Sequence, residues 1–322
     1  MLTNVFAIVL PVFLLIAIGY GTARARLLPE TAGDALGQFV YVIAIPVLIF
    51  KTLAEVDLGG QTPWGLWAAY FTGIACAWTL GTLIIRKGFG REARAGVIGG
   101  ISAGFANTVM VGLPLVDQVY GERGLVALMV IISIHLPVMT MVTAVLMERA
   151  ATLDGISGPV QLSTLLAKVG RSLLTNPLAI AIASSVAWRM TGIPITGIFE
   201  DILDRIAGTA LPVALLSLGM SMVMYGVRGN LLPGLCLSLV KVLVMPLVVF
   251  IMSAYVVQLP PLWVCAATLT AACPTGVNAY IFANRYGTGH AMSTNAITVT
   301  TMAAVFTCAA WVYFLDLWRA GV

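Results

Sequence analysis

Charge is scarce in this sequence. Only 9% of its 322 residues are charged, against roughly a quarter in an ordinary soluble domain. No long polar segment separates the apolar runs, which leaves no room for a soluble catalytic domain. The thirteen Asp and Glu residues lie in connections or near the ends of apolar runs, so no mid-membrane carboxylate relay is visible. Histidine is limited to His135 and His290, and neither an H-E-x-x-H nor a Walker A pattern occurs. Zinc-dependent proteolysis and ATP hydrolysis are therefore not expected, and the chain does not read as an enzyme. The five cysteines (Cys76, Cys236, Cys265, Cys273 and Cys308) are odd in number, lie in apolar stretches and lack metal-type spacing. They read as small hydrophobes rather than a disulfide framework or metal site, and no cofactor is implied. Basic residues form no dense run interleaved with aromatics, so nucleic acid is not an expected partner.

What is present is hydrophobicity: 60% apolar residues and a mean hydropathy of +1.01. The chain reads as an all-α integral membrane protein in a lipid bilayer. A span needs about 20 mostly apolar residues, which predicts ten transmembrane helices at 3–22, 36–53, 64–85, 95–116, 124–146, 173–190, 204–225, 232–256, 262–284 and 291–315. The first has no basic leader and no clear small-residue cleavage site, so it reads as a span and not a signal peptide. Odd-numbered connections carry Arg24, Arg26, Arg86, Lys87, Arg91, Arg94, Arg149, Lys168, Arg171, Arg228 and Arg285; the even ones and the C-terminus carry Lys51, Arg123, Arg189, Arg205 and Arg319. The positive-inside rule then puts both termini outside the cell (inner) membrane and the central connection in the cytoplasm.

The predicted organisation is a first five-helix repeat at 1–147, a cytoplasmic linker at 148–172 and a second repeat at 173–322. Within the linker, Leu162, Leu165, Leu166, Val169 and Leu173 follow helical spacing, which suits either a short interfacial helix or an early start to the sixth span. The second span carries Pro29 and Pro46, and the seventh carries Pro194 and Pro212 at nearly the same spacing. The fourth and ninth spans each hold a polar, helix-breaking centre. One is Asn107-Thr108 with Gly112 and Pro114; the other is Pro274-Thr275-Gly276 with Asn278. A repeat of five helices is odd, so the second copy enters from the opposite side, giving inverted repeats.

Broken helices in hydrocarbon are tolerated only where protein or a water-filled cavity covers the freed backbone. Their half-helix ends offer N–H groups to an anion or carbonyls to a cation. Asn107, Thr108, Thr275 and Asn278 add side-chain donors and acceptors at that depth. A proline that merely kinks a packed helix is the plainer account of either break taken alone.

Lys241 lies well inside the eighth span, at an insertion cost of roughly 2.5–3.5 kcal/mol. It suits either a carboxylate substrate or freed carbonyls near the ninth span. His135 in the fifth span is a candidate for proton coupling or a buried structural histidine. Thr294, Thr298 and Thr301, with Asn295 beside them, form a polar stripe on the tenth span suited to interhelical packing.

The paired segments Asn107-Thr108-x-x-x-Gly112-Leu113-Pro114 and Pro274-Thr275-Gly276-x-Asn278-Ala279-Tyr280 resemble the signature of the auxin efflux carrier family, whose bacterial members include carriers of malonate and related carboxylates. The resemblance implies that helices four and nine cross at their prolines. It also implies a homodimer that moves a small organic anion by an elevator-type secondary transport cycle, with possible proton or sodium coupling. Other readings are a sodium-coupled organic-anion carrier of the bile-acid symporter type and a non-transporting membrane sensor.

Overall fold

The computed structural model describes residues 2–29, 31–55, 62–156, 175–225 and 229–321. The predicted linker helix at 162–173 lies outside them, as does most of the linker. Among the described residues the regular elements are all helical, and seven helices are long and apolar enough to cross a membrane. In order they are α1 (Leu2–Arg24), α2 (Ala32–Glu55), α3 (Pro63–Gly88), α4 (Ala93–Gly104), α5 (Thr108–Leu153), α6 (Pro177–Thr191), α7 (Ile198–Tyr225), α8 (Leu231–Val256), α9 (Pro261–Ala272), α10 (Asn278–Tyr286) and α11 (His290–Ala320).

α5 is 46 residues long, about 69 Å at 1.5 Å per residue and so twice the ~30 Å hydrocarbon thickness. It is two arms. Gly121 lies between them with φ 62° and ψ −164°, a backbone region essentially reserved for glycine. α7 begins six residues before the position expected from hydropathy, because Glu200, Asp201, Asp204 and Arg205 lower the apolar average without opposing the helix. Glu200 and Asp201 occupy its first turn, where acidic side chains favour the positive end of the helix dipole.

Pro11, Pro137 and Pro212 lie within ordinary α-helix, and three further prolines are absorbed by wide turns. Pro46, Pro114 and Pro246 each follow a turn in which an N–H bonds five residues back: Ile45 to Val40, Leu113 to Thr108 and Met245 to Val240. Pro246 removes the donor that would bond the Val242 carbonyl. The Trp311 indole N–H replaces it at 2.9 Å.

The helices pack in two groups. α1, α2, α6 and α7 pack most heavily on one another, and α3, α4, α5, α8, α9 and α11 do the same. In the first group a Cβ built on Gly19 falls 2.2 Å from the Leu216 carbonyl oxygen, and one on Gly219 falls 2.0 Å from that of Ile16. Glycine is required there because the backbones touch.

Helix ends converge on two cavities. One of about 990 Å³ is rimmed by Lys51, Glu55, Asp117, Glu122, Arg123 and Asp204 and reaches Leu48 and Pro212. Lys51 and Asp204 form an ion pair across it. The other, of about 340 Å³, is lined by Arg91, Glu92, Asn230, Thr288 and His290. α3 ends beside this second cavity, whereas α8 begins there.

At the same end Asp154 accepts hydrogen bonds from the Ala93 and Arg94 amides, at 2.8 and 3.1 Å, and from the Arg94 side chain at 3.2 Å. It thereby fastens the start of α4 to the end of α5. Burial raises its pKa, but these bonds together bring it below the ordinary aspartate value. The stabilisation is complete above the unfolded pKa of about 3.9 and is lost as the pH falls through the lowered folded value.

Gly19→Ala is expected to lower the thermal midpoint in detergent, since overpacking costs about 1–3 kcal/mol. Gly21→Ala, with nothing within 4 Å of the added Cβ, is expected to leave the midpoint at or slightly above the parent's in the same fluorescence-detected melting assay.

Candidate functional site

α4 is built from small residues, with Gly96, Gly99, Gly100 and Gly104 among its twelve. A Cβ on Gly100 would lie 2.3 Å from the Trp78 ring, and one on Gly99 2.4 Å from Ile85. These glycines seat α4 closely against α3. The helix ends at Gly104, and Phe105 turns extended at φ −96° and ψ 103°. α9 ends at Ala272, and Cys273 likewise turns out of helical geometry at φ −55° and ψ 151°.

The two gaps lie against each other. Ala106 and Thr275 form an isolated antiparallel bridge. Within it the Asn107 amide donates to the Pro274 carbonyl and the Gly276 amide to the Phe105 carbonyl, both at 2.8 Å. The Thr275 hydroxyl donates to the Ser102 carbonyl at 2.9 Å, while the Thr275 amide donates to the Thr300 hydroxyl, also at 2.9 Å. A Cβ on Gly276 would lie 2.7 Å from the Phe105 ring and 3.2 Å from the Ala106 carbonyl oxygen. The close approach of the gaps requires that glycine.

α5 starts from this bridge. The Asn107 side-chain oxygen accepts from the Met110 amide at 3.2 Å and caps the first turn. Its amide nitrogen Nδ2 is buried without a partner. Thr108 Oγ1 lies 3.4 Å from His135 Nδ1. His135 is 2% exposed and packs among the rings of Phe105, Tyr70 and Phe71, with centroid separations of 4.7, 5.7 and 6.4 Å. His135 Nε2 and the Tyr70 hydroxyl are also buried without a partner. Buried polar groups left unpaired are costly and call for an explanation such as a ligand or water. Three such groups therefore surround the break that opens α5.

The carbonyl end of α9 is closed differently. Lys241 is 0% exposed, and its Nζ donates to the Ala271 carbonyl at 2.5 Å. The Leu269 carbonyl accepts from the Cys273 amide at 3.1 Å, and the Ala272 carbonyl faces the Cys308 thiol at 3.7 Å. No Asp or Glu is among the described buried residues, so the lysine has no buried carboxylate beside it.

A family model described as membrane transport protein matches residues 4–312. The chain belongs to that family. It is the auxin efflux carrier family of the sequence resemblance, and the protein is a membrane transporter rather than an enzyme. The chain is 22% identical over 323 residues to a protein of Rhizobium meliloti (strain 1021) named "Putative malonate transporter", covering 98% of this chain and 97% of that one. It is 25% identical over 313 residues to an "Uncharacterized transporter" of Methanothermobacter thermautotrophicus, covering 94% and 96%. A 23% identical match over 231 residues to the "Lysosomal cholesterol signaling protein" of Mus musculus spans 69% of this chain and 26% of that protein.

In this transporter Asn107, Thr108, Pro274, Thr275 and Gly276 are brought together at the gaps, and Asn278 opens α10 directly after them. Pro114 is not part of the contact. It lies in the second turn after the bridge, where the wide turn at Thr108–Gly112 lets the helix continue through it. The two helices therefore meet at Ala106 and Thr275, and only the second proline takes part. Gly112 is under no comparable constraint, since its nearest contact for an added Cβ is 3.5 Å. Thr294 bonds back to the His290 carbonyl, and Thr298 Oγ1 and Thr301 Oγ1 are buried without partners.

Thr300, one position off that stripe, is the threonine that serves the site. Sequence reading misses it because its hydroxyl also makes the ordinary bond to the carbonyl four residues back, Ala296 at 2.6 Å. Phe105 and Cys273 were equally silent as apolar residues in apolar runs.

Thr275→Val keeps the side-chain shape but removes the bond to Ser102. The expected loss is about 1–3 kcal/mol, seen as a lower melting midpoint. Thr298→Val, which removes a buried hydroxyl that makes no bond, should melt no lower than the parent.

Proposed function

We propose that this transporter is a secondary carrier of a small organic anion, a malonate-like carboxylate. The observation that carries the reading is the pairing of a buried, carboxylate-free Lys241 with the unpartnered Asn107 Nδ2 and His135 Nε2 at the paired gaps. A buried positive charge without a counter-charge, near an open amide donor and an open imidazole nitrogen, is complementary to an anion and costly without one. Asn107, Thr108, Thr275 and Asn278 would contact the substrate. Gly112, Pro114, Pro274 and Gly276 shape the backbone, and Lys241 supplies positive potential. The N-terminus of α10, which follows the second gap, has no side-chain cap, and the positive end of its dipole favours an anion. The malonate transporter name of the rhizobial relative agrees with this substrate class.

The same reading takes the chain as ten spans in two inverted five-helix repeats whose fourth and ninth members are broken and cross. The two arms of α5 supply one extra crossing, the short α6 another, and α9 with α10 a third. Local geometry supports the repeat. α3 and α8 are each 26 residues long and close on equivalent bonds, Phe89 to Ile84 and Arg91 to Ile85 in one, Val257 to Met252 and Leu259 to Ser253 in the other. Gly90 and Gln258 hold matching positive φ values of 63° and 56°. Opposite directions of α3 and α8 relative to the smaller cavity support inversion.

The two packing groups suit an elevator, with α1, α2, α6 and α7 as the fixed scaffold of a homodimer and the gap-bearing group as the moving part. The larger cavity is then the outward vestibule of an inner-membrane protein whose termini face outward. His135 is the candidate for coupling to protons.

Counterflow of labelled malonate into proteoliposomes is expected to saturate. Asn107→Ala and Asn278→Ala should each reduce it by roughly 10-fold or more, the weight of one hydrogen bond to a charged group. Parent-like counterflow by both variants would remove the gaps as the site. Binding without any counterflow would favour a sensor.

A further inference from the structure

The two halves of the molecule close their broken helices with different chemistry. In the first half the carbonyl end of α4 is met by neutral donors: the Phe105 amide bonds Ile101 at 2.8 Å, and the Thr275 hydroxyl bonds Ser102 at 2.9 Å. In the second half a full ammonium group points at the carbonyl end of α9, from Lys241 to Ala271. Lys241 is the one Lys or Arg among the described buried residues, so the first half has no cation at the end of α4 to match it.

A helix C-terminus carries about half a negative charge on its last carbonyls, and in a low-dielectric interior that charge attracts a cation. A free alkali-metal ion coordinated by carbonyl oxygens would satisfy it. Here the chain's own ammonium occupies that end and is fully enclosed. The neighbouring groups are neutral: Cys308 faces Ala272, and Cys273 bonds back to Leu269.

We infer that Lys241 is a tethered cation: it takes the place of a metal ion at the carbonyl end of α9, holds the second gap in position and makes the site independent of sodium or potassium. Lys241 is in this sense a positioning residue. Its single charge also travels with the site instead of being picked up from solution at each turn. That consequence rests on the transport reading above; the cation role at α9 does not.

The test is the cation dependence of thermal stability in purified protein, a readout that needs no substrate and stands whatever the carrier moves. The parent should melt at the same midpoint in sodium, potassium and N-methylglucammonium chloride. Lys241→Ala opens space at the helix end, and its midpoint should fall and then be raised by several degrees, saturably, by ethylammonium or propylammonium. These amines reach a buried site as neutral bases and protonate there; N-methylglucammonium is too bulky and should restore nothing. Lys241→Met retains the length of the side chain without its charge and should be destabilised as Lys241→Ala is. Parent-like stability of Lys241→Met would show that volume alone is needed and overturn the proposal. So would a parent midpoint that rises specifically with sodium, or a Lys241→Ala protein that no small ammonium restores.

If Lys241→Ala does not fold, Lys241→Met and the parent's cation series decide the matter. In proteoliposomes the parent's malonate counterflow should be equal in the three salts. Absent counterflow with the expected melting behaviour would overturn the malonate reading and leave the tethered cation standing.

Discussion

Backbone amides and carbonyls that leave a helix inside hydrocarbon must find partners, and each one left bare costs several kcal/mol. That requirement governs this molecule. Two helices stop in mid-path, and neither stop is tolerable alone. Brought together, the gaps satisfy each other through the Asn107–Pro274 and Gly276–Phe105 bonds. Packing elsewhere follows from keeping them in register: small residues let α4 lie against α3, Thr300 reaches from α11 to the Thr275 amide, and Gly276 leaves room for Phe105.

The same logic explains the prolines. Pro46, Pro114 and Pro246 are accommodated inside continuous helices by one wide turn each, and the carbonyl freed by Pro246 is taken up by Trp311. Pro274 is different because it lies in a gap and offers its carbonyl to the other half. Prolines in the membrane helices thus have distinct outcomes in one chain, since Pro11, Pro137 and Pro212 lie in ordinary α-helix without a wide turn.

Much of this was legible in the sequence. Hydropathy located the apolar helices, and the amides, hydroxyls and glycines of 104–114 and 273–280 marked the unusual segments because nothing lipid-facing would carry them. Register was not legible. That Ala106 rather than Pro114 meets the other half depends on main-chain pairing, to which side chains contribute no pattern. Thr300 was hidden because a threonine on a membrane helix commonly bonds its own preceding turn. Lys241 was visible as an anomaly, with carbonyls near the ninth span among its candidate partners, but the Ala271 carbonyl could be singled out only once α8 and α9 were seen side by side. The start of α7 was obscured by charged residues that helix dipoles favour and hydropathy penalises.

The bridge between the gaps is made of main chain meeting main chain, so its geometry depends on few side chains, chiefly those of Thr275 and Thr300 and the lack of one at Gly276. Frame and cargo preference are therefore separable traits. A residue such as Asn278 can be exchanged over evolutionary time without dismantling the scaffold that displays it. A lineage built on this joint can drift from one solute to another while its architecture stands still.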